Sequence, residues 1–393
     1  MPSLTAAVRF RLPLAVLPIA AALAGAPAAH ADVTCTRFAS PTGSDSATGT
    51  QDAPFRTAQK LVDSLGAGDT GCLRGGTYAE DVRMDNGGAS GAPLTLTSYP
   101  GERARVVGRF YIPKGSDFVT VANLDLDGTP ALGTNASDLP SPTVNARHAT
   151  FADDDVTNEH HEICFLLGSG WGDANDFVLQ HNRIHDCGKL PSQNQDHGIY
   201  VELATDGQVL DNVISDNADR GVQLYPNAQN TRIAGNVIDG NGEGIIFSGD
   251  GGISSNGNVV EDNIITNSNI RNNVESWYPS GTPAGQGNLV SNNCIAGGAQ
   301  DDGDGGIGPQ VGFTLGIGNV IGKDPLFVDR AAKDFRLAPD SPCAGIANGA
   351  TGSTAQRVVV NPTTTTTSTA TTTTTTTTST SPFAPPARAA RAR

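Results

Sequence analysis

Short apolar segments alternate with polar turns at nearly regular intervals along the central part of the chain. Five asparagines mark this pattern, each three residues after an aliphatic residue and two before an isoleucine: Asn182, Asn212, Asn236, Asn263 and Asn293. Their intervals of 30, 24, 27 and 30 residues predict stacked repeats that bury a core only against their neighbours. The Val- and Ile-rich runs between Gly, Asn and Asp favour strands over helices. We therefore expect a β-solenoid in which the asparagine side chains stack about 4.8 Å apart as an amide ladder.

A second apolar segment recurs upstream of the asparagine turns. It reads HGIYVEL at 197–203, RGVQLY at 220–225, EGIIFS at 243–248 and, less clearly, NVESWY at 273–278. Together with the two short strands around each asparagine, it gives three strands per coil. This is the cross-section of an all-β, right-handed parallel β-helix. Earlier coils are less regular, but Asn123 and Asp154 fall near the ladder column, with Asn123 one residue out of register.

Strand alternation assigns the two faces of this recurring strand. The apolar positions are expected to point into the core: Ile199, Val201, Val222, Leu224, Ile245 and Phe247. Their neighbours are expected to point outward: Tyr200, Glu202, Gln223, Tyr225, Ile246, Ser248, Glu275 and Trp277. Because sugar rings present apolar faces to aromatic rings and hydroxyls to polar groups, this outward set, here called the outer strip, predicts a sugar-binding surface. The alternative is an ordinary solvated sheet face with a few aromatic residues.

The N-terminal region carries two signals of its own. Arg9 and Arg11 precede a short apolar run, and a small-x-small cleavage site follows, so residues 1–31 are predicted to be a secretory signal peptide. A membrane anchor is the alternative, but the apolar run is too short to span a bilayer. An amphipathic helix around residues 55–65 is expected to cap the first coil, because a solenoid end exposes strand edges and core.

Residues 32–360 are expected to form one β-helix domain, and residues 361–393 a disordered tail. Positions 363–380 are almost all threonine and cannot form a core. The tail is interpreted either as a glycosylated or wall-spanning stalk or as an unmodified disordered end. The protein is therefore predicted to be secreted, and association with a cell wall through this tail is one expectation.

The six cysteines all lie downstream of the predicted cleavage site: Cys35, Cys72, Cys164, Cys187, Cys294 and Cys343. An even number in an exported chain predicts disulfides, although six cysteines allow 15 pairings. Proximity in sequence favours Cys35 with Cys72, Cys164 with Cys187, and Cys294 with Cys343. Zinc is the weaker alternative, because there is no CxxC motif and the HxxxH spacing of His181 and His185 falls in a β repeat.

The formal net charge of −15 makes the chain strongly acidic. Such a field repels nucleic acid and anionic membranes, and no basic stripe overrules it. A polyanionic glycan would need a locally basic cleft or bridging metal ions. Two groups of residues are candidate calcium ligands: Asp153, Asp154 and Asp155, and Asp301, Asp302 and Asp304. The alternative for both groups is a solvated acidic turn.

Titratable residues cluster in the turns that lead into the outer strip. They are Asp196 and His197, then Asp219 and Arg220, then Glu243. Histidine suits general acid or base chemistry near neutral pH, and an arginine can hold a carboxylate or stabilise an enolate-like intermediate. Most of the other histidines fall within one 38-residue stretch: His160, His161, His181 and His185. Several of these are expected to be turn residues without a chemical role, whereas His197 adjoins the outer strip.

Three segments resemble the coils of secreted β-helix polysaccharide lyases and uronate C5-epimerases. They are NRIHDCG at 182–188, QDHGIYV at 195–201 and RGVQLYPN at 220–227. Those enzymes remove the proton α to a uronate carboxylate. The resemblance implies His197 as base or acid, Tyr200 as proton partner and Arg220 as carboxylate clamp, with Lys189 as a second candidate base. The glycan would then contact Glu202, Gln223, Tyr225, Glu275 and Trp277.

Two other classes of function remain open. A glycoside hydrolase is one, although the NTD, DD and GHG motifs of β-helix polygalacturonases are not recognisable in their expected arrangement. A non-catalytic glycan-binding or surface protein is the other. The epimerase DPHD motif is missing, and no acidic triplet stands clearly in a lyase-type calcium position. In each case the expected partner is an extracellular polysaccharide and the expected state a monomer.

Overall fold

The computed structural model describes residues 33–131 and 139–351, which form a right-handed parallel β-helix of three sheets. Sheet A contains Arg37–Ala39, Thr70–Leu73, Leu94–Ser98, Val119–Ala122, Thr150–Ala152, Val178–Gln180, Gln208–Leu210, Arg232–Ala234, Val259–Glu261, Asn288–Ser291 and Phe313–Leu315. Sheet B contains Gly76–Ala79, Ala104–Val107, Leu124–Asp127, Asp155–Thr157, Arg183–His185, Val213–Ser215, Val237–Asp239, Ile264–Ser268, Cys294–Gly298 and Val320–Ile321. Sheet C contains Val82–Arg83, Phe110–Ile112, Thr143–Val144, Phe165–Leu167, Ile199–Thr205, Arg220–Gln229, Glu243–Asp250 and Val274–Trp277. The all-β parallel β-helix with three strands per coil is therefore confirmed.

A few elements lie outside this pattern. Ile253–Ser254 pairs antiparallel with Glu243–Asp250 at the end of sheet C, and Phe327–Asp329 forms a hairpin with Asp334–Leu337. The two helices are Ala58–Asp63 and Asn348–Thr351. Neither described helix has the length and apolarity that a bilayer crossing requires. The predicted signal peptide and the threonine-rich tail lie outside the described residues.

The predicted asparagine column is a continuous hydrogen-bonded ladder. The Asn182 backbone N–H donates to Asn212 Oδ1 at 2.9 Å, and the Asn212 N–H donates to Asn236 Oδ1 at 2.8 Å. The same contact continues along the column to Asn263, Asn293 and Asn319. Each amide Nδ2 also donates to a backbone carbonyl one coil earlier, as Asn236 does to Val209 O at 2.9 Å. The ladder therefore satisfies buried polar groups and fixes the register of the coils.

The residue before each rung of the ladder has a positive φ between 54° and 82°: Asp153, His181, Asp211, Gly235, Asp262, Asn292 and Gly318, and likewise Asn123. Only glycine adopts this left-handed conformation freely, and Asn, Asp and His tolerate it better than other residues. His181 is thus a turn residue. Asn123 occupies the same turn position, and the Leu124 N–H after it donates to the Asp154 side chain at 2.8 Å. The one-residue offset of Asn123 is confirmed.

Asp154 takes the place of an asparagine in the ladder. Its Oδ1 accepts the Leu124 N–H, but its buried Oδ2 finds no hydrogen-bond donor among the described residues. Burial raises the pKa of Asp154 to about 8. Because the folded state prefers the protonated acid, this group contributes stability that is present below its ordinary pKa of 3.8 and is lost as the pH rises through about 8.

We expect Asp154→Asn to stabilise the protein in a pH-dependent way. Above pH 8 the free energy of unfolding should exceed that of the wild type by about 1–3 kcal/mol, because the amide avoids a buried unpaired charge. Near pH 4 the two proteins should be nearly equal, since protonated Asp154 resembles the amide. Urea unfolding across this pH range measures the difference, with exposed Asp52→Asn as the control. A gain of equal size at every pH would contradict this explanation.

The N-terminal helix is shorter than the sequence predicts. It begins after Thr57, whose side chain accepts the Lys60 N–H, and it covers Ala58–Asp63 rather than residues 55–65. Glu80 stands at its N-terminus and accepts the Ala58 N–H at 2.8 Å and the Gln59 N–H at 3.1 Å. A carboxylate at this end satisfies unpaired donors and complements the helix dipole.

The three disulfides predicted from sequence proximity are confirmed: Cys35–Cys72, Cys164–Cys187 and Cys294–Cys343. The last of them attaches the C-terminal segment to the outer face of sheet B. There Phe335 and Ile346 pack in a second apolar cluster with Val213, Val237 and Ile264. Arg330 Nε also donates to Asp239 Oδ2 at 2.8 Å. This segment covers sheet B, whereas the outer strip lies on sheet C.

Candidate functional site

The outer strip follows the register of sheet C. The six predicted inward positions are fully buried, so the assignment of the two faces is confirmed. Tyr200 pairs with Gln223, which pairs with Ile246, which pairs with Glu275. Ser248 pairs with Trp277. One row of outward side chains therefore crosses four consecutive coils, and Ser248 and Trp277 form part of a second row. A register shift between Val201 and Leu203 places Glu202 at an irregularity of the strand.

Aromatic rings form one part of this face. The rings of Tyr200 and Tyr225 stack with centroids 6.3 Å apart, and the Tyr225 hydroxyl donates to Asp250 Oδ2 at 2.9 Å. Trp277 is 55% exposed. Ile246 and Ser248 point outward but are buried, and the Ser248 hydroxyl donates to the Trp277 carbonyl at 2.6 Å. The accessible part of the strip is thus aromatic and polar, which suits a sugar ring.

The turns beside the strip bring together a buried ionic cluster, here called the Arg220 cluster. Arg220 Nε lies 3.0 Å from Glu243 Oε2, and its NH1 lies 3.2 Å from Asp219 Oδ2. Arg271 NH2 lies 3.0 Å from both carboxylates. His197 Nδ1 lies 3.7 Å from Asp219 Oδ2. Residues at equivalent positions of successive coils thus converge on one point at the edge of the outer strip.

Burial raises the pKa values of the carboxyl groups in this cluster. It raises the pKa of the Glu243 carboxyl to about 8, with Glu275 adding to the rise and Arg220 and Arg271 opposing it. It also raises the pKa of Asp219, again against the two arginines. At neutral pH Glu243 is therefore mostly protonated. The guanidinium groups of Arg220 and Arg271 then face the carboxyl groups of Asp219 and Glu275 beside a mostly neutral Glu243.

Lys189 lies in a second, adjoining group. Its Nζ is 3.2 Å from Glu162 Oε2. Asp196, the residue before His197, stands beside the same glutamate, and burial followed by Glu162 raises the pKa of Asp196 to about 6, while Lys189 lowers it. The candidate base Lys189 is thus held by an acid next to the Arg220 cluster.

The histidines of the dense stretch are distributed over different faces. His197 contacts the Tyr200 ring edge-on at 5.6 Å between centroids. His185 lies on sheet B, where its Nε2 is 2.9 Å from Asp155 Oδ1 and its Nδ1 is 2.7 Å from Asp186 Oδ2. Burial lowers the pKa of His185, but these two partners together outweigh it and raise the pKa to about 9. His197 is therefore the histidine of this stretch that adjoins the outer strip.

The repeat pattern does not predict two residues of the site, Arg271 and Asn194. Arg271 stands just before the less regular repeat at 273–278. The spacing of the repeats therefore does not predict that it lies opposite Glu243. Asn194 lies in the insert that follows Lys189, and its amide oxygen accepts from Arg220 NH2 at 2.5 Å and also from Arg271 NH2. Inserts have no repeat to fix their register, which is why only the structure reveals this contact.

Neither acidic group proposed for calcium forms a ready site. Asp154 is part of the ladder, and Asp155 pairs with His185. Asp301 accepts three backbone N–H groups, from Gly297, Gly303 and Gly305, which is the pattern of a loop-stabilising turn. In the described part of the chain, no three His, Cys, Asp or Glu residues converge as a metal site would require. Calcium binding by these groups stays a prediction.

Residues 145–307 match the family model described as "Right handed beta helix region". Among curated proteins, pectate lyase PEL9 of Emericella nidulans is 38% identical over 96 residues, or 24% of this chain and 20% of that protein. The uncharacterized protein YwoF of Bacillus subtilis is 27% identical over 210 residues, or 52% of this chain and 41% of that protein. The chain thus spans less than half the length of both curated relatives.

Solved structures share the fold at low sequence identity. Pectate lyase Pel9A is 15% identical with a TM-score of 0.56, over 79% of this chain and 91% of that one. Rhamnogalacturonan lyase is 16% identical with a TM-score of 0.50, over 80% and 95%. XylC in complex with xylose is 13% identical with a TM-score of 0.55, over 72% and 69%. The chain therefore has a right-handed parallel β-helix fold, which is similar to the folds of these two lyases and of XylC.

Proposed function

We propose that this chain is a secreted enzyme that acts on a uronate-containing glycan by abstracting the proton α to the uronate carboxylate, as a lyase or an epimerase. One observation carries the proposal: a buried cluster of histidine, arginine and carboxyl groups adjoins an aromatic strip on the same face of sheet C. Such a face can bind a sugar chain and do proton chemistry beside it. Three disulfides in the described domain agree with export.

Each candidate residue receives a role that its position supports. His197 takes the proton from C5, and the carboxyl group of Asp219, 3.7 Å from its Nδ1, stabilises the imidazolium that forms. Tyr200, edge-on to His197, donates the second proton. In a lyase this proton goes to the departing O4, and in an epimerase it goes to C5 from the opposite face. Arg220 stabilises the negative charge that develops on the carboxylate. Lys189, held by Glu162, is the alternative base.

The charge of the cluster supports an anionic substrate. The chain as a whole repels polyanions, so a uronate chain needs a local excess of positive charge. Arg220 and Arg271 are the positive groups of the cluster, and the protonation of Glu243 near neutral pH leaves fewer negative charges opposite them. As the pH rises through about 8, Glu243 ionises and adds a negative charge beside the two arginines. Binding of a polyuronate is therefore expected to weaken above that pH.

We expect Trp277→Ala to weaken glycan binding about tenfold, because an exposed ring on the outer strip gives a sugar its stacking partner. Affinity electrophoresis in gels that contain polygalacturonate, alginate or rhamnogalacturonan measures the effect. Trp171→Ala is a matched control, since Trp171 is 54% exposed but lies outside the outer strip. Equal retardation of the wild type and the Trp277 variant in every gel would remove Trp277 from the binding surface.

A second candidate function is glycan binding without turnover. One observation favours it: His197 and Arg220 are only 2% and 5% exposed, so these two groups are closed off from solvent in the described structure. Incubation of the mature protein with a panel of uronate polymers separates the two candidates, because a lyase creates a 4,5-unsaturated uronate that absorbs ultraviolet light. Retained binding to one polymer without any chemical change in it would favour the binding protein. Release of saturated reducing ends would instead indicate a glycoside hydrolase.

A further inference from the structure

The two arginines of the Arg220 cluster converge on a single oxygen atom. Asn194 Oδ1 accepts from Arg220 NH2 at 2.5 Å and from Arg271 NH2. Arg220 NH1 also donates to the Asn194 backbone carbonyl at 3.3 Å. A side-chain amide oxygen held between two guanidinium groups occupies the position that a carboxylate oxygen would take, since arginine forks match carboxylate geometry.

The segment that brings this oxygen lies on the surface. Asn194 and its neighbours Gln193 and Gln195 are exposed, and Asn194 itself has a φ of 66°. The segment from 190 to 195 contains no strand or helix. In the described part of the chain, its hydrogen bonds to the cluster come from Asn194, whereas the two arginines also contact buried carboxyl groups. Moving this segment would leave the arginines in place and uncover them.

Arg271 has unused hydrogen-bonding capacity. Its Nε is buried and meets no acceptor among the described residues. A buried donor without an acceptor is costly unless a ligand or water satisfies it. A carboxylate offers two oxygens, one more than the amide of Asn194, and so could satisfy both arginines together.

We propose that Arg220 and Arg271 form an anion subsite for the carboxylate of a uronate residue, and that Asn194 occupies this subsite when no glycan is bound. Residues 190–195 then act as a strap that the substrate displaces. The identification of the anion as a uronate rests on the proposed function, whereas the subsite itself rests on the two arginines and Asn194. Arg271 becomes a specificity-determining residue, and Asn194 a competitor of the substrate.

An anion titration tests the subsite without any assumption about the glycan. The probe is inorganic sulfate, and the readout is the NMR signals of the Arg220 and Arg271 Nε–H groups in the full chain. In Asn194→Ala these signals should shift at about tenfold lower sulfate than in the wild type, because the variant has no competing amide. Gln193→Ala, a change at the exposed neighbouring residue, should behave like the wild type. Equal midpoints in the wild type and Asn194→Ala, or no shift in either, would overturn the proposal.

Calorimetry with trigalacturonate and trimannuronate extends the test to the uronate. For whichever trimer binds, Asn194→Ala should lower the Kd about tenfold and Arg271→Gln should raise it at least tenfold, while the methyl-esterified trimer should show neither effect. Weaker binding by Asn194→Ala would make Asn194 a support and overturn the proposal. If sulfate binds as predicted and no uronate polymer is converted, the subsite stands and the proposed function fails. If a polymer is converted but Asn194→Ala changes no affinity, the subsite alone fails.

Discussion

Replacing His197 with glutamine is expected to lower the rate of C5 proton abstraction by about three orders of magnitude. Loss of a positioned general base typically costs 10²–10⁴-fold. Glutamine keeps a polar group beside Asp219 Oδ2, which lies 3.7 Å from the native Nδ1, but it cannot accept the proton. The KM should change little, because the ring contributes to the reaction more than to binding. Initial rates on the uronate polymer that the wild type converts provide the measurement.

The control for this experiment is His161→Gln, which changes an exposed histidine outside the cluster and should keep full activity. Thermal unfolding of both variants should stay within a few degrees of the wild type. Full activity of His197→Gln would move the base to Lys189. A large loss of stability with normal activity per folded molecule would make His197 a structural residue. Arg220 is unsuitable for this test, because removing it would leave buried Asp219 and Glu243 short of a partner at a cost of about 3–5 kcal/mol.

Replacing Asn236 with alanine is expected to lower the free energy of unfolding by about 3–5 kcal/mol, because several buried groups lose their partners at once. Asn236 Oδ1 accepts from both the backbone N–H and the Nδ2 of Asn212, at 2.8 and 2.9 Å. Its Nδ2 donates to Val209 O and to Asn263 Oδ1, both at 2.9 Å. Urea unfolding at neutral pH measures the loss.

The matched control is Gln208→Ala, which removes an exposed amide from the outer face of sheet A. It should change the free energy of unfolding by less than about 0.5 kcal/mol. The Asn236 variant should also keep the wild-type catalytic rate under conditions where it is folded, since the ladder and the outer strip lie on different parts of the coil. An Asn236 variant as stable as the Gln208 variant would show that neighbouring rungs do not depend on one another.

The sequence was most informative where each coil repeats the one before. A buried asparagine at one corner, and apolar residues two apart on the recurring strand, recur because each coil solves the same packing problem. The register and the two faces could therefore be predicted, whereas the disulfide pairing was predicted from proximity in sequence. The N-terminal helix was predicted too long, because the apolar spacing continues on both sides of the helix. Thr57 caps its N-terminus and Ser64 caps its C-terminus, so the helical hydrogen bonds end there.

The candidate site was predictable only in part, for the same physical reason. His197, Arg220 and Glu243 occupy equivalent positions of regular coils, so their proximity followed from the repeat. Arg271 and Asn194 come from an irregular coil and an insert, where no period relates one residue to another. Burial of the cluster was also hidden, because it depends on the path of the segment 190–195. A pattern can place side chains on a face but cannot show what covers them.

The most direct test of the proposed function is proton NMR of uronate polymers incubated with the mature protein in D₂O. Both a lyase and an epimerase remove the C5 proton, so we predict that its signal disappears for one polymer. Either an unsaturated chain end or deuterium at C5 should replace it, and His197→Gln should suppress the change. If polymer chains are shortened while the C5 proton is retained, or if a polymer binds and remains unaltered, proton abstraction by this protein is contradicted.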